Sequence, residues 1–261
     1  MAPRLSQPAA GASATLPLLT PSSLMAQIDL YRTMMTRQTE PLRLSPFQAV
    51  IFDMDGTLLD TESVFRAIVF EVCDELGFPM TDDVHLSMVG GSHERTNQLL
   101  VEAYGVAFPY ALFDQRCRIM MGERSHGGVP VKPGARELVL DLRERGIPTA
   151  VATSSRTPHA HTHLGAAGLI ELFDTIVTRD DVTHPKPHPE PYLLAATRLG
   201  VEPLHCLALE DSHAGVRAAH AAGMQTVMVP DLVHPSEEIR ALGIAVMESL
   251  NHVRAAAFER P

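Results

Sequence analysis

Ala49-Val50-Ile51-Phe52-Asp53-Met54-Asp55-Gly56-Thr57-Leu58-Leu59-Asp60 decides the fold. Its first four residues form an apolar run too short for a soluble helix and rich in β-branched and aromatic side chains, so Ala49 to Phe52 reads as a buried strand. Side chains alternate in extended backbone, and Asp53 and Asp55 can therefore enter one pocket at the carboxyl end of that strand. Two carboxylates so close repel one another, which is tolerable if a cation sits between them or if one keeps its proton. Gly56 then lets the chain turn.

Downstream of this stretch, residues 61 to about 130 carry helical stripes. Phe65, Ile68, Val69, Val72 and Leu76 share one face and stop at Gly77 with Pro79 beyond; Leu100, Ala103 and Tyr104 form a second stripe, and Phe113, Cys117 and Met120 a third. An all-helical block inserted after the first strand and bounded by Gly127-Gly128 and Pro130 implies a small separate domain at 61–130. From Val131 onward helix and strand patterns alternate. Strands are expected at 148–152, 175–178, 206–209 and 226–229, the last being the final clear strand, with helices between them. This alternation predicts an α/β fold with a parallel, doubly wound sheet built from 46–60 and 131–261.

Ligands in such sheets bind outside the carboxyl ends of the strands, where the strand order reverses. Asp53 and Asp55, Thr153-Ser154-Ser155, and Glu210-Asp211 each follow an expected strand directly and should face one cleft. Lys186 lies in a proline-rich loop, stiffened by Pro185 and Pro187. Taken singly, these residues have plainer readings. Thr153 could cap the following helix and Ser155 is expected to do so, while Glu210-Asp211 alone would suit a helix start. His159, His161 and His163 read as a solvated helix face, because the middle residue points away from the other two. Gly90-Gly91 lacks the spacing of a dinucleotide loop.

Composition narrows the function. The 261 residues are 45% hydrophobic and 20% charged, enough for a sizeable core and without a run approaching the ~20 apolar residues of a membrane span. A formal charge of -10 disfavours nucleic acid as a partner, whereas an anionic substrate would need a bound cation or a local positive pocket. Cys73, Cys117 and Cys206, odd in number and widely spaced, suggest reduced packing thiols and a cytoplasmic setting. Residues 1–45, with five prolines and no steady period before Leu24, are expected to form a flexible leader rather than a signal peptide, and Met25, Met34 or Met35 are later candidate starts.

Asp53-Met54-Asp55-Gly56-Thr57, Thr153, Lys186 and Glu210-Asp211 resemble, in order, the four motifs of the haloacid dehalogenase-like hydrolase superfamily over about residues 48 to 230. Ala-Thr-Ser-Ser after a strand, Lys-Pro-His-Pro in a loop and the run Glu-Asp-Ser-His-Ala-Gly-Val-Arg are most similar to the branch with β-phosphoglucomutase, phosphoglycolate phosphatase and sugar-phosphate phosphatases. The resemblance implies a Rossmann-like core with residues 61–130 as a mobile cap, for which Gly56 to Asp60 and Gly127-Gly128 are the candidate hinges. It also implies an aspartyl-phosphate mechanism with Asp53 as nucleophile and Asp55 as acid/base. Mg2+ would be held by the Asp53 side chain, the Asp55 carbonyl and Asp211, with Glu210 in direct or water-mediated contact. Lys186, Thr153 and neighbouring N–H groups such as that of Ser154 would bind the phosphoryl oxygens.

The resemblance further implies a phosphatase acting on a small phosphorylated metabolite, as a monomer or weak homo-oligomer. A sugar phosphomutase is the alternative enzyme and a phospho-accepting signalling module the alternative of another class. The mutases carry a cap-linker histidine and a cap arginine where this chain has Val64-Phe65 and Gly91-Ser92-His93, which weakens the mutase reading and makes His93 a candidate substrate contact. Dehalogenases lack the second aspartate, and phosphonatases use a cap lysine that is missing between Asp53 and Lys132.

Overall fold

A computed structural model describes residues 44–89, 93–125 and 128–258. The expected leader falls almost wholly outside these residues, as do Gly90, Gly91 and Gly127.

The strands are β1 (Ala49–Phe52), β2 (Thr149–Ala152), β3 (Thr175–Val177), β4 (Cys206–Glu210), β5 (Gln225–Met228) and β6 (Ala245–Val246). They form a single parallel sheet in the order β3-β2-β1-β4-β5-β6. β1 is central and fully buried because both its faces are covered. Val50 and Phe52 pack with Leu138, Val139 and Leu142 on one side, and Ala49 and Ile51 pack with Tyr192, Ala195 and Ala196 on the other. A strand buried on both faces has no polar alternation, which is why it reads as a continuous apolar run. The chain leaves β1 toward β2 on one side and returns to β4 on the other, so the sheet's order reverses at β1 and opens a crevice at its carboxyl end.

The block that follows β1 directly holds α1 (Thr61–Glu75), α2 (Asp82–Met88), α3 (His93–Tyr104) and α4 (Tyr110–Ser125). Asp60 caps α1 by accepting from the Ser63 N–H at 3.4 Å, and Thr81 caps α2 in the same way. The helices enclose their own apolar cluster around Ile68, Val69, Val72, Leu100, Phe113 and Cys117. The segments that enter and leave this block run side by side, Leu59 bridging Val131 in antiparallel fashion, with Asp60 N–H donating to the Pro130 carbonyl at 2.8 Å and Lys132 N–H to the Leu58 carbonyl at 2.9 Å.

The remaining helices are α5 (Ala135–Glu144), α6 (Thr157–Ala166), α7 (Glu190–Leu199), α8 (His213–Ala221), α9 (Glu237–Ala241) and α10 (Leu250–Phe258). β6 was not expected from the sequence. It is two residues long, only partly buried, and pairs with β5 alone, so it leaves no periodic signature. No helix among the described residues is long and apolar enough to cross a membrane, and all three cysteines are buried free thiols.

Candidate active site

The strand ends bring most of the sequence-predicted residues together. Asp53 follows β1, Thr153 follows β2 and Glu210 ends β4, while Lys186 arrives from the loop after β3. The Lys186 ammonium donates to Asp53 Oδ1 and to Glu210 Oε1, both at 2.6 Å, and also lies 5.1 Å from the centre of the Tyr192 ring. Its side chain is 4% exposed, so the two ion pairs are shielded from water.

Glu210 is the hub. Oε1 accepts from Lys186 and from the Tyr192 hydroxyl at 3.0 Å, and Oε2 accepts from the N–H groups of Asp211 and Ser212 and from the Ser212 hydroxyl. These five donors fully engage a carboxylate that is 0% exposed, as a buried charge requires. In the sequence Tyr192 shares a helical stripe of α7 with Ala195, Ala196 and Leu199. Its burial was legible there; the partner that a buried phenol must find was not.

Asp55 is held differently. Its Oδ2 accepts from Ser155 Oγ at 2.8 Å and from Thr153 Oγ1 at 3.4 Å, and the Ser155 N–H donates to Thr153 Oγ1 at 2.9 Å. Ser155 therefore does not cap the following helix. The N-cap of α6 is Arg156, without a side-chain cap, because the Ser155 hydroxyl is directed back to Asp55. Ser154 is exposed on the same loop. His93 begins α3, and its side chain lies outside the described residues. Among the three histidines of α6, His159 and His161 are exposed as expected, but His163 is buried because the helix packs that side against the core cluster containing Ala160 and Leu164.

Two glycines mark close approaches. Gly56, at φ +87°, leaves room for Asp211, whose Oδ2 would sit 2.3 Å from a Cβ. Thr57 Oγ1 donates to the other oxygen of Asp211 at 3.3 Å. Gly215, in the first turn of α8, lies against Glu210, and a Cβ there would fall 1.5 Å from Oε1. We expect Gly215→Ala to displace Glu210 and with it Lys186, lowering stability by about 1–3 kcal/mol, the usual cost of overpacking. Urea unfolding and kcat measured on the same variant check this; wild-type values for both would contradict the packing described.

Asp53, Glu210 and Asp211 each offer a carboxylate oxygen, and these lie within 4.8 Å of one another. Burial, offset in part by Lys186 but reinforced by Glu210 and Asp55, pushes the Asp53 carboxyl up to about 8. Burial and then the neighbouring Asp53 and Glu210 hold Asp211 well above the ordinary carboxylate range. On Lys186 burial opposes the charge, yet Asp53 and Glu210 outweigh it and keep the ammonium ionised. A crowded all-oxygen donor set whose members resist ionising together fits a hard divalent cation such as Mg2+.

This crowding has a measurable consequence. In the metal-free protein the folded state keeps the Asp53 proton up to about pH 8, whereas the unfolded chain releases it near 3.8. The folded state binds more protons between those values, so this group's contribution to stability falls as pH rises through that window. Thermal unfolding with chelator should show the decline and added Mg2+ should flatten it; a Mg2+-independent profile would contradict the assignment.

Beside the cluster, the helical block encloses a cavity of about 400 Å3 lined by Glu62, Phe65, Val69, Met88, Phe113 and Arg118, among others. Burial and then the nearby Asp231, Asp55 and Asp60 raise the Glu62 carboxyl above its ordinary value. Glu62 thus links this cavity to the carboxylates at the sheet.

The chain is similar to known proteins over the stretch that carries these residues. The family model described as haloacid dehalogenase-like hydrolase matches residues 50–229. A phosphorylated carbohydrates phosphatase of Thermotoga maritima is 33% identical over 75% of this chain and 89% of its own length. A fructose-1-phosphate phosphatase of Escherichia coli is 35% identical over 70% of this chain and 96% of its own. The crystal structure of a hydrolase of the same family from Deinococcus radiodurans, with bound phosphate and sodium, superposes with a TM-score of 0.73 at 30% identity, covering 82% of this chain and 96% of that one.

Proposed function

The chain belongs to the haloacid dehalogenase-like hydrolase family, and we propose that within it the protein is a Mg2+-dependent phosphatase of small sugar phosphates, acting through an aspartyl-phosphate on Asp53. That it is a phosphomonoester hydrolase follows from the family and its phosphatase relatives. The observation that carries the residue roles is the paired contact of Lys186 with Asp53 and Glu210, beside an Asp55 held by Ser155.

Asp53 attacks the phosphorus in line with the ester oxygen; an Asp–O–P bond forms as the P–O bond to the alcohol breaks. Asp55, in its protonated form, gives its proton to the departing alkoxide. As a carboxylate it then takes a proton from a water that attacks the same phosphorus, which releases inorganic phosphate and restores Asp53. The two hydroxyls on Asp55 Oδ2 fix which way its other oxygen faces during these transfers. Lys186 neutralises phosphoryl oxygens, and Glu210 together with Tyr192 keeps it in place. Asp53 and Asp211 would hold Mg2+, with the Asp55 carbonyl and the anchored Glu210 completing the site. When bound, the ion supplies positive charge against the phosphoryl group.

The helical block acts as a cap over the cleft, and the paired linkers at Leu59 and Val131 are its hinge. Its cavity receives the alcohol part of the substrate. The mixture of apolar walls with Glu62 and Arg118 suits a carbohydrate, whose ring faces are apolar and whose hydroxyls need fixed partners. A screen of metabolite phosphates with Mg2+ tests this. Sugar phosphates are expected to release inorganic phosphate fastest, and a flat response across phosphomonoesters of every size would contradict it. A coupled hexose 1-phosphate to 6-phosphate assay run beside it should stay silent; product there would favour the mutase.

A further inference from the structure

The segment His184-Pro185-Lys186-Pro187-His188-Pro189-Glu190 sends Lys186 inward and its two histidines outward. The Lys186 side chain is 4% exposed, against 63% for His184, 51% for His188 and 30% for Glu190. The His184 and His188 rings lie 4.6 Å apart. One ring nitrogen of each and one oxygen of Glu190 lie within 4.8 Å of one another. None of the three has a part in the chemistry proposed above.

We propose that His184, His188 and Glu190 form a second cation site, selective for a borderline transition-metal ion such as Zn2+, on the solvent side of the loop that carries Lys186. The ligand chemistry separates it from the carboxylate cluster. Two imidazoles with one carboxylate suit Zn2+, Ni2+ or Cu2+, whereas the all-oxygen set of Asp53, Glu210 and Asp211 suits Mg2+.

The site is partly assembled. Glu190 Oε1 accepts from the Thr183 N–H at 2.8 Å, and Oε2 accepts from the His184 N–H at 2.9 Å and from His184 Nδ1 at 2.8 Å. Those backbone and ring bonds hold the Glu190 carboxyl down at about 2, so it is a carboxylate at any pH where the imidazoles are neutral. The Glu190 N–H donates to His188 Nδ1 at 3.2 Å, which orients that ring. Three prolines fix φ within the segment, so less backbone freedom is left to lose on binding.

Zn2+ holds nitrogen and oxygen ligands at about 2.0–2.2 Å, which sets tetrahedral neighbours about 3.3–3.5 Å apart. The present spread closes to that by rotation of exposed side chains. If His184 binds through Nδ1, its proton passes to water as the bond to Glu190 is replaced by one to the ion. A water completes the coordination. The ion would then join residues on both sides of Lys186.

Equilibrium dialysis of the full chain against micromolar Zn2+ in excess Mg2+ tests the proposal. Wild type and Asp53→Asn/Asp211→Asn should each retain one Zn2+ per chain, and His184→Ala/His188→Ala should retain none. Glu190→Gln should bind at least about tenfold more weakly, as loss of a ligand or its support does elsewhere. Zn2+ should raise the melting temperature of the aspartate variant and not that of the histidine variant, whose unfolding without Zn2+ serves as the folding control. Retention of Zn2+ by the histidine variant, its loss in the aspartate variant, or no stoichiometric Zn2+ in wild type would each overturn the assignment.

Discussion

Asp53→Asn is expected to lower kcat by at least about 10^4-fold, because loss of a covalent nucleophile removes on the order of 10^4–10^6 in kcat. The amide keeps the size of the side chain but attacks phosphorus poorly and cannot return to a free carboxylate after each cycle. Its fold should be retained. Lys186 would still find Glu210 at 2.6 Å, and one of the crowded buried carboxylates would be gone. The variant should therefore be at least as stable as wild type in chelator at neutral pH, where wild type must keep Asp53 protonated although the unfolded chain would ionise it. Phosphate release and chemical unfolding on the same preparation separate these effects. A stable and fully active variant would remove Asp53 from the chemistry.

Lys186→Met should be damaging in both respects. It removes the cation shared by Asp53 and Glu210, whose side chains are 9% and 0% exposed, and leaves both without their charged partner. Breaking a buried ion pair from one side costs about 3–5 kcal/mol. Loss of a preorganised group facing transition-state charge lowers kcat by about 10^2–10^3-fold. Mg2+ should recover part of the stability, because it supplies positive charge to the same carboxylates, and should recover little of the activity. Urea unfolding with chelator and with Mg2+ provides the comparison. Equal stability losses under both conditions would mean that the ion does not share the Asp53 environment.

The sequence made the frame of the molecule legible because its strongest signals were local. β1 lies at Ala49–Phe52 as expected, since a strand buried on both faces must be apolar throughout. Asp53 and Glu210 could be placed in one cleft because residues after parallel strands converge at the switch point, whereas Lys186, in a loop, joined them only through the motif resemblance. Contacts that depend on exact side-chain direction were not legible. A hydroxyl just ahead of a helix reads as a cap, yet Ser155 serves Asp55. Gly215 carries a signal in the sequence itself: a glycine inside a helix costs about 1 kcal/mol against alanine, and so points to a close approach. In this fold that approach is Glu210. His163 reads as solvated from its neighbours on α6, but burial is set by what the helix packs against, which local periodicity does not specify.

In the proposed reaction the phosphoryl group passes through Asp53. Rapid mixing of the Mg2+-loaded protein with a sugar phosphate found to be a substrate, followed by acid quench and mass spectrometry of the peptides, tests it directly. One phosphoryl group on Asp53, appearing and decaying no more slowly than turnover, is the predicted result. Steady release of phosphate with no phosphoryl group ever detected on Asp53, or with one found on another residue, would rule out Asp53 as the nucleophile.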